Sequence, residues 1–100
     1  MKAYTPKTIC KEGRISLHPN LKEKLGLEPR TKVILHPVDG KVIIKKFDGG
    51  VIPPECIVRA LDVAGRIVLP NIIFKVTGWK IRDEVNVYLM DDGAIVLELA

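Results

Sequence analysis

Apolar residues occupy every second position in two runs near the end of the chain. The runs comprise Val85, Val87 and Leu89, followed by Ile95, Leu97 and Leu99. A period of two is typical of β-strands that bury one face and expose the other. Because a turn sequence at residues 91–93 separates the runs, they predict a β-hairpin with arms over 84–89 and 94–99. Two earlier β-rich runs, 32–36 and 41–47, flank an Asp-Gly pair and predict another hairpin.

Two short strands are predicted before each hairpin. Residues 7–11 and 13–17 form the first pair, with Ile9, Ile15 and Leu17 expected to face inward, and residues 57–61 and 66–69 form the second. A turn at Glu12-Gly13 joins the first pair, because glycine permits a backbone conformation there that other residues resist. The chain is therefore mainly β.

One short helix is predicted between the strands and the hairpin in each half. The first follows Asn20, which is expected to cap it, and ends at Gly26; the second spans 71–77 and ends at Gly78. Helices of this length are unstable alone in water, so both must pack against the sheet.

The pattern occurs twice because the sequence itself is repeated. Comparing residue n with n+52 over 13–39 gives eight identities: Gly13/Gly65, Arg14/Arg66, Ile15/Ile67, Leu17/Leu69, Gly26/Gly78, Arg30/Arg82, Val33/Val85 and Asp39/Asp91. Unrelated sequences would share about two. Beyond the longer second turn the offset becomes 53, which aligns Ile43 with Val96. We therefore predict an internal duplication in which Trp79 fills the core position that Leu27 fills in the first half.

Each half alone has too few residues for a stable core, so the halves are expected to share one. Residues 1–100 would form a single domain with approximate two-fold symmetry. Repeat one spans 5–47, the linker spans 48–56 with its Gly-Gly and Pro-Pro pairs, and repeat two spans 57–100.

The composition is that of a globular protein, with 47% hydrophobic and 28% charged residues. No apolar run is long enough to span a membrane, and the N-terminus lacks the apolar core of a signal peptide, which predicts a cytoplasmic location without membrane contact. Cys10 and Cys56 lack a second ligand pair at zinc spacing and are expected to be free, partly buried thiols. His18 and His36, each followed by proline, are expected at surface or edge positions. No metal or cofactor is predicted.

Positive charge is concentrated in the first half. The chain has a net charge of +4, but residues 1–47 carry eleven Lys and Arg against four acids, whereas residues 48–100 carry five against eight. A basic half indicates a polyanionic partner, nucleic acid first. No catalytic constellation or phosphate-binding glycine loop can be assembled, so the chain is not expected to be an enzyme.

The segment 57–70, IVRALDVAGRIVLP, with the short helix and hairpin that follow it, resembles the N-terminal DNA-binding module of AbrB-type transition-state regulators. This superfamily (SpoVT-AbrB) also includes the antitoxin MazE and the tandem-repeat regulator MraZ, and the resemblance covers about 5–47 and 57–100. It implies a swapped-hairpin, double-split β-barrel in which two units interlock about a two-fold axis. Here both units would come from one chain.

The resemblance also implies a DNA-binding surface, made by basic residues before the Gly-Arg turn, by the turn arginine and by the short helix. Matching positions are Lys7, Arg14 and Lys22 in repeat one, and Arg59, Arg66 and Lys75 in repeat two; Lys11 and Lys24 are nearby additions from this sequence. A turn arginine can instead pair with a nearby carboxylate, and both roles stay open for Arg14 and Arg66.

The two repeats depart from each other at several of these positions. Phe74 stands where the family's helix usually offers arginine, and Cys10 replaces the aspartate that repeat two has as Asp62, which could bond Arg66 or brace its turn. His18 replaces a proline. These differences predict that repeat one binds DNA while repeat two completes the barrel.

The expected function is that of a transcriptional regulator that binds double-stranded DNA at the nucleoid. The uneven charge also favours a homodimer that brings two first repeats to one duplex. The alternative is an antitoxin or protein-interaction module of the MazE type with a toxin partner. Such antitoxins are expected to have a C-terminal tail, whereas this sequence ends at Ala100 after its last strand. The regulator is therefore favoured.

Overall fold

Eight strands and two short helices make up the fold. The computed structural model describes all 100 residues. The elements are β1 (Lys2–Thr8), β2 (Arg14–Ile15), α1 (Pro19–Leu25), β3 (Lys32–Val38), β4 (Lys41–Lys46), β5 (Ile57–Ala60), β6 (Ile67–Val68), α2 (Asn71–Thr77), β7 (Glu84–Leu89) and β8 (Ile95–Leu99), with a single 3-10 turn at Lys11–Gly13. The mainly β class, both hairpins and α2 are confirmed. Neither α-helix, each of seven residues, has the length and apolar character needed to cross a membrane.

The strands form two antiparallel sheets that mix the repeats. The larger sheet is open, has the order β1-β7-β8-β4-β3-β5, and contains both hairpins; β2 and β6 form the smaller sheet. The first strand of each repeat pairs with the hairpin of the other, since β1 lies against β7 and β5 lies against β3. Neither repeat therefore completes its own sheet.

The strand register brings duplicated positions face to face. Ile15 pairs with Ile67 in the smaller sheet, and Ile43 pairs with Val96 between β4 and β8. Residues that are equivalent in a duplication pair directly only where a two-fold axis passes between them. The backbone repeats as well: Arg30 has φ of 67° and its equivalent Arg82 has φ of 80°, a left-handed conformation uncommon outside glycine.

A single apolar core joins the two repeats. Its 19 buried residues include Ile9, Ile15 and Leu17, as expected. Leu27 and Trp79 are 4% and 3% exposed, which confirms their predicted equivalence in the core. Both helices dock through one buried residue at equivalent positions, Leu21 in α1 and Ile73 in α2.

The first strand lies earlier than the sequence predicts. It spans Lys2–Thr8 rather than 7–11, because its position is set by pairing with β7, and the register shifts between Tyr4 and Lys7. Pro6 lies within this irregularity and has no N–H to donate to a neighbouring strand. The predicted strand over 13–17 is reduced to Arg14–Ile15.

Two further expectations are wrong in detail. The residue before α1 is His18, not Asn20, and it makes no capping side-chain bond. Proline at the first helical position has no N–H that would need a partner, which makes such a start possible. Gly26 and Gly78 end the helices in left-handed conformations, as predicted. Both cysteines are free, but Cys10 is exposed and only Cys56 is partly buried.

The pairing of Ile15 with Ile67 generates a prediction about stability. Ile67 is 1% exposed, so Ile67→Ala should lower the free energy of unfolding by about 2–5 kcal/mol through lost burial and a residual cavity. Ile72 in α2 is 48% exposed, and Ile72→Ala should change it by about 0.5 kcal/mol or less. Urea denaturation followed by circular dichroism measures both. Equal effects of the two substitutions would contradict this account of the core.

Candidate nucleic-acid interface

The two Gly-Arg turns have the same backbone hydrogen bonds. In repeat one, Cys10 N–H donates to Arg14 O (2.8 Å) and Gly13 N–H donates to Cys10 O (3.0 Å). In repeat two, Asp62 N–H donates to Arg66 O (3.0 Å) and Gly65 N–H donates to Asp62 O (2.9 Å). Both glycines have positive φ, 77° and 75°, which an L side chain rarely adopts. Arg14 and Arg66 therefore lie at the ends of equivalent turns, next to the pair of strands β2 and β6.

Asp62 is the hub of this site. Its Oδ1 accepts hydrogen bonds from the backbone N–H groups of Ala64 (2.9 Å) and Arg66 (2.8 Å), and its Oδ2 accepts one from Arg66 Nε (2.8 Å). The idea that Asp62 bonds Arg66 and braces its turn is confirmed. These hydrogen bonds, the backbone bond from Arg66 foremost, lower the pKa of Asp62, so its carboxylate is ionised at neutral pH.

The same carboxylate also reaches the other repeat. Asp62 Oδ2 lies 3.9 Å from Arg14 Nε, and Arg14 Nη2 lies 3.2 Å from Glu12 Oε2. Arg14 Nε is buried and makes no hydrogen bond. Because Cys10 stands where repeat two has Asp62, repeat one supplies no equivalent carboxylate. Arg14 is consequently held less tightly than Arg66, although both side chains are 36% exposed.

The helix that covers each turn belongs to the other repeat. A Cβ placed on Gly65 would lie 3.1 Å from Lys22 Nζ, and a Cβ on Gly13 would lie 3.1 Å from the ring of Phe74. Lys22 and Phe74 are equivalent in the duplication, so one turn is covered by a cation and the other by an aromatic ring. The structure thus brings Arg14 and Arg66 to Asp62, and it places Lys22 over Gly65 in the turn that Asp62 braces.

The other five predicted site residues make no ion pair or hydrogen bond with Asp62. Lys7 is half-buried on β1, Lys11 is exposed in the first Gly-Arg turn, Lys24 is exposed on α1, Arg59 is exposed on β5 and Lys75 is exposed on α2. None of them forms an ion pair. The Arg59 guanidinium donates only to the neighbouring carbonyl of Val58, at 2.9 Å.

Sequence reasoning missed one cation near Lys24. Lys2 and Lys24 border a shallow depression with Tyr4, and Lys2 Nζ lies 5.1 Å from the centre of the Tyr4 ring. The signal was lost because β1 was expected to begin only at Lys7. Lys2 is thus a further cation of repeat one beside Lys24, in a depression that Glu23 also lines.

His18 is less accessible than its expected surface position implies. Both ring nitrogens are buried without a hydrogen-bond partner, and the ring lies 5.0 Å from that of Tyr4. Burial, followed by the positive charge of Lys7, lowers the pKa of His18, so the imidazole is neutral at pH 7. His18 therefore adds no charge to the site.

One group of potential metal ligands lies elsewhere in the fold. His36, Glu55 and Cys56 place one ligand atom each within 4.8 Å of the others. This group has no zinc-binding signature along the chain, because such signatures contain closely spaced ligand pairs and His36 is far from the other two residues in sequence.

The lowered pKa of Asp62 predicts a pH-dependent contribution to stability. A carboxyl whose pKa falls on folding stabilises the protein above its unfolded value, about 3.9, and this contribution is lost as pH falls through the lower folded value. Asp62→Asn should therefore lower the midpoint of thermal unfolding at pH 7, and the difference from the parent should shrink below about pH 4. Scanning calorimetry over this range measures it.

Asp48→Asn is the matched control, because Asp48 is exposed and makes no ion pair or side-chain hydrogen bond. It should follow the parent at every pH. A constant gap between Asp62→Asn and the parent from pH 7 to pH 3 would show that the ionised carboxylate is not the stabilising species.

No family model, no curated protein and no solved structure matches the chain.

Proposed function

We propose that this protein is a DNA-binding transcriptional regulator of the AbrB type. The observation that carries the proposal is the contact of Arg14 and Arg66, from the two repeats, with the single carboxylate of Asp62, together with the position of Lys22 over Gly65 in the same turn. The proposed activity is binding of duplex DNA rather than catalysis. It would be exercised in the cytoplasm, at the nucleoid.

The cluster has the chemistry that phosphates require. Guanidinium and ammonium groups neutralise phosphate charges and release condensed counterions, which makes binding weaken with salt. Arg66 is held in place by Asp62, so little side-chain freedom is lost when it meets a phosphate. Arg14 makes no hydrogen bond through Nε and can exchange its 3.2 Å contact with Glu12 for a phosphate oxygen.

Repeat one supplies the larger part of the proposed surface. Lys7, Lys11 and Lys24 of repeat one, and Arg59 and Lys75 of repeat two, form no ion pairs and would supply the rest of the proposed surface. Beside Gly13 lies the aromatic ring of Phe74, whereas its equivalent in repeat one, Lys22, places a cation beside Gly65. We assign repeat one to phosphate contact and repeat two mainly to support, and we retain the homodimer as the way two basic repeats would meet one duplex.

The proposed architecture is the swapped-hairpin, double-split β-barrel of the AbrB type. Two observations support it: each repeat's first strand pairs with the other's hairpin, and β2 and β6 pair at duplicated residues. In such a barrel the Gly-Arg turns from both units lie beside the two-fold axis. Their cations can then face one stretch of duplex.

Binding of a labelled duplex of random sequence, followed by fluorescence anisotropy over a salt series, tests the proposal. The parent should bind at low salt with micromolar affinity or better, about the range of non-specific DNA binding, and should weaken steeply as salt rises. Arg14→Ala and Lys22→Ala should each weaken binding at every sequence and reduce the salt slope by about one.

Lys45→Ala is the matched control. Lys45 is a surface cation on β4 in the larger sheet, and it lies 3.4 Å from Asp92. The Lys45→Ala variant is expected to bind DNA with the affinity and salt dependence of the parent. Absence of binding at low salt would reject the DNA-binding role, and equal losses in Lys45→Ala and Arg14→Ala would reject this location for the interface.

A further inference from the structure

His36, Glu55 and Cys56 meet where the linker joins the first hairpin. His36 lies on β3, and the other two residues end the linker immediately before β5. One ligand atom from each lies within 4.8 Å of the others, and His36 Nε2 is 4.0 Å from Glu55 Oε1. The side chains of His36 and Glu55 are 38% and 58% exposed, so an ion can enter from solvent.

Strand register explains why His36 and Cys56 are neighbours. In the antiparallel pair of β3 with β5, Leu35 lies opposite Ile57, so the next position along the same register places His36 opposite Cys56. Side chains of directly opposed residues extend from the same face with Cβ atoms about 4.5–5.5 Å apart. The exchange of β5 between repeats thus creates the pair.

A proline turn positions the third ligand. Cys56 N–H donates to Pro53 O at 2.9 Å, which closes a four-residue turn with Pro54 and Glu55 at its centre. Proline fixes its own φ and restricts the residue before it, so this turn loses little freedom when an ion binds. The three donors are therefore largely arranged before any ion arrives.

The donor set selects a chemical class of ion. Thiolate, imidazole and carboxylate together suit Zn²⁺ and similar borderline-soft divalent cations, whereas Mg²⁺ and Ca²⁺ prefer oxygen ligands. Tetrahedral zinc with bonds of about 2.0–2.3 Å places its ligand atoms roughly 3.4 Å apart. Small side-chain rotations bring the three atoms from within 4.8 Å to that spacing.

We propose that His36, Glu55 and Cys56 form a binding site for a zinc-like divalent cation, with water as the fourth ligand. On binding, the Cys56 thiol loses its proton to solvent and the resulting thiolate coordinates the ion. The ion ties the end of the linker to β3 and so fastens the first strand of repeat two to the hairpin of repeat one. The site is independent of the proposed DNA-binding cluster.

Titration of the full chain with Co²⁺, after removal of metal with EDTA, tests the site. The absorption spectrum of bound Co²⁺ identifies its ligands. Tetrahedral coordination gives intense visible bands, and a thiolate ligand gives a near-ultraviolet charge-transfer band. The parent should show both with one equivalent, and Zn²⁺ should abolish both by displacement. Zn²⁺ should also raise the midpoint of thermal unfolding.

Variants identify the ligands. Cys56→Ser should lose the charge-transfer band, and His36→Ala should weaken Co²⁺ binding roughly tenfold or more. Cys10→Ser is the matched control, because Cys10 is the other free thiol and lies outside the group. It should bind as the parent does, with circular dichroism confirming that each variant is folded. A parent that shows no Co²⁺ bands, or a charge-transfer band that survives in Cys56→Ser, would overturn the proposal.

Discussion

The two repeats exchange their first strands, and this exchange holds both hairpins and the apolar core together. β1 is held by β7 of the other repeat, β5 is held by β3, and Ile15 pairs with its own duplicate Ile67. Each repeat taken alone would leave a hairpin edge and half of an apolar core exposed to water, so the two must fold together. The fold therefore has most of its defining contacts between residues distant in sequence, and cooperative unfolding is expected of it.

On this nearly symmetric backbone the side chains are not symmetric, and the candidate site arises from the difference. The two Gly-Arg turns share their hydrogen bonds and glycine conformations. Only repeat two, however, has a carboxylate at this position, Asp62, where repeat one has Cys10. Asp62 consequently serves both arginines, one through a hydrogen bond and one at 3.9 Å. Lys22 covers one turn and Phe74 the other. The two repeats thus share their strand pairing, but their different side chains give the protein one electrostatically distinct face.

Elements with local signals were predictable from the sequence. The bounds of α2, the two hairpins, the glycine helix ends and the core positions of Leu27 and Trp79 follow from periodicity, turn residues and the repeat. β1 was misplaced because it is an edge strand, polar and interrupted by Pro6, and its extent is decided by β7. Asn20 was misassigned as a cap because Pro19 before it can itself begin a helix. Residues near the start of α1 are compatible with a helix capped by Asn20 and with a helix that begins at Pro19.

The duplication, the uneven charge and the residue types at each turn can be read from the sequence without a structure. These are properties of the order of residues and need no coordinates. Three contacts follow only from the folded chain: Asp62 with Arg14, Lys22 with Gly65, and His36 with Cys56. Each of these meetings depends on which strands pair and in which register. Register between distant segments is set by burial of the whole core, and no short-range pattern along the chain records it.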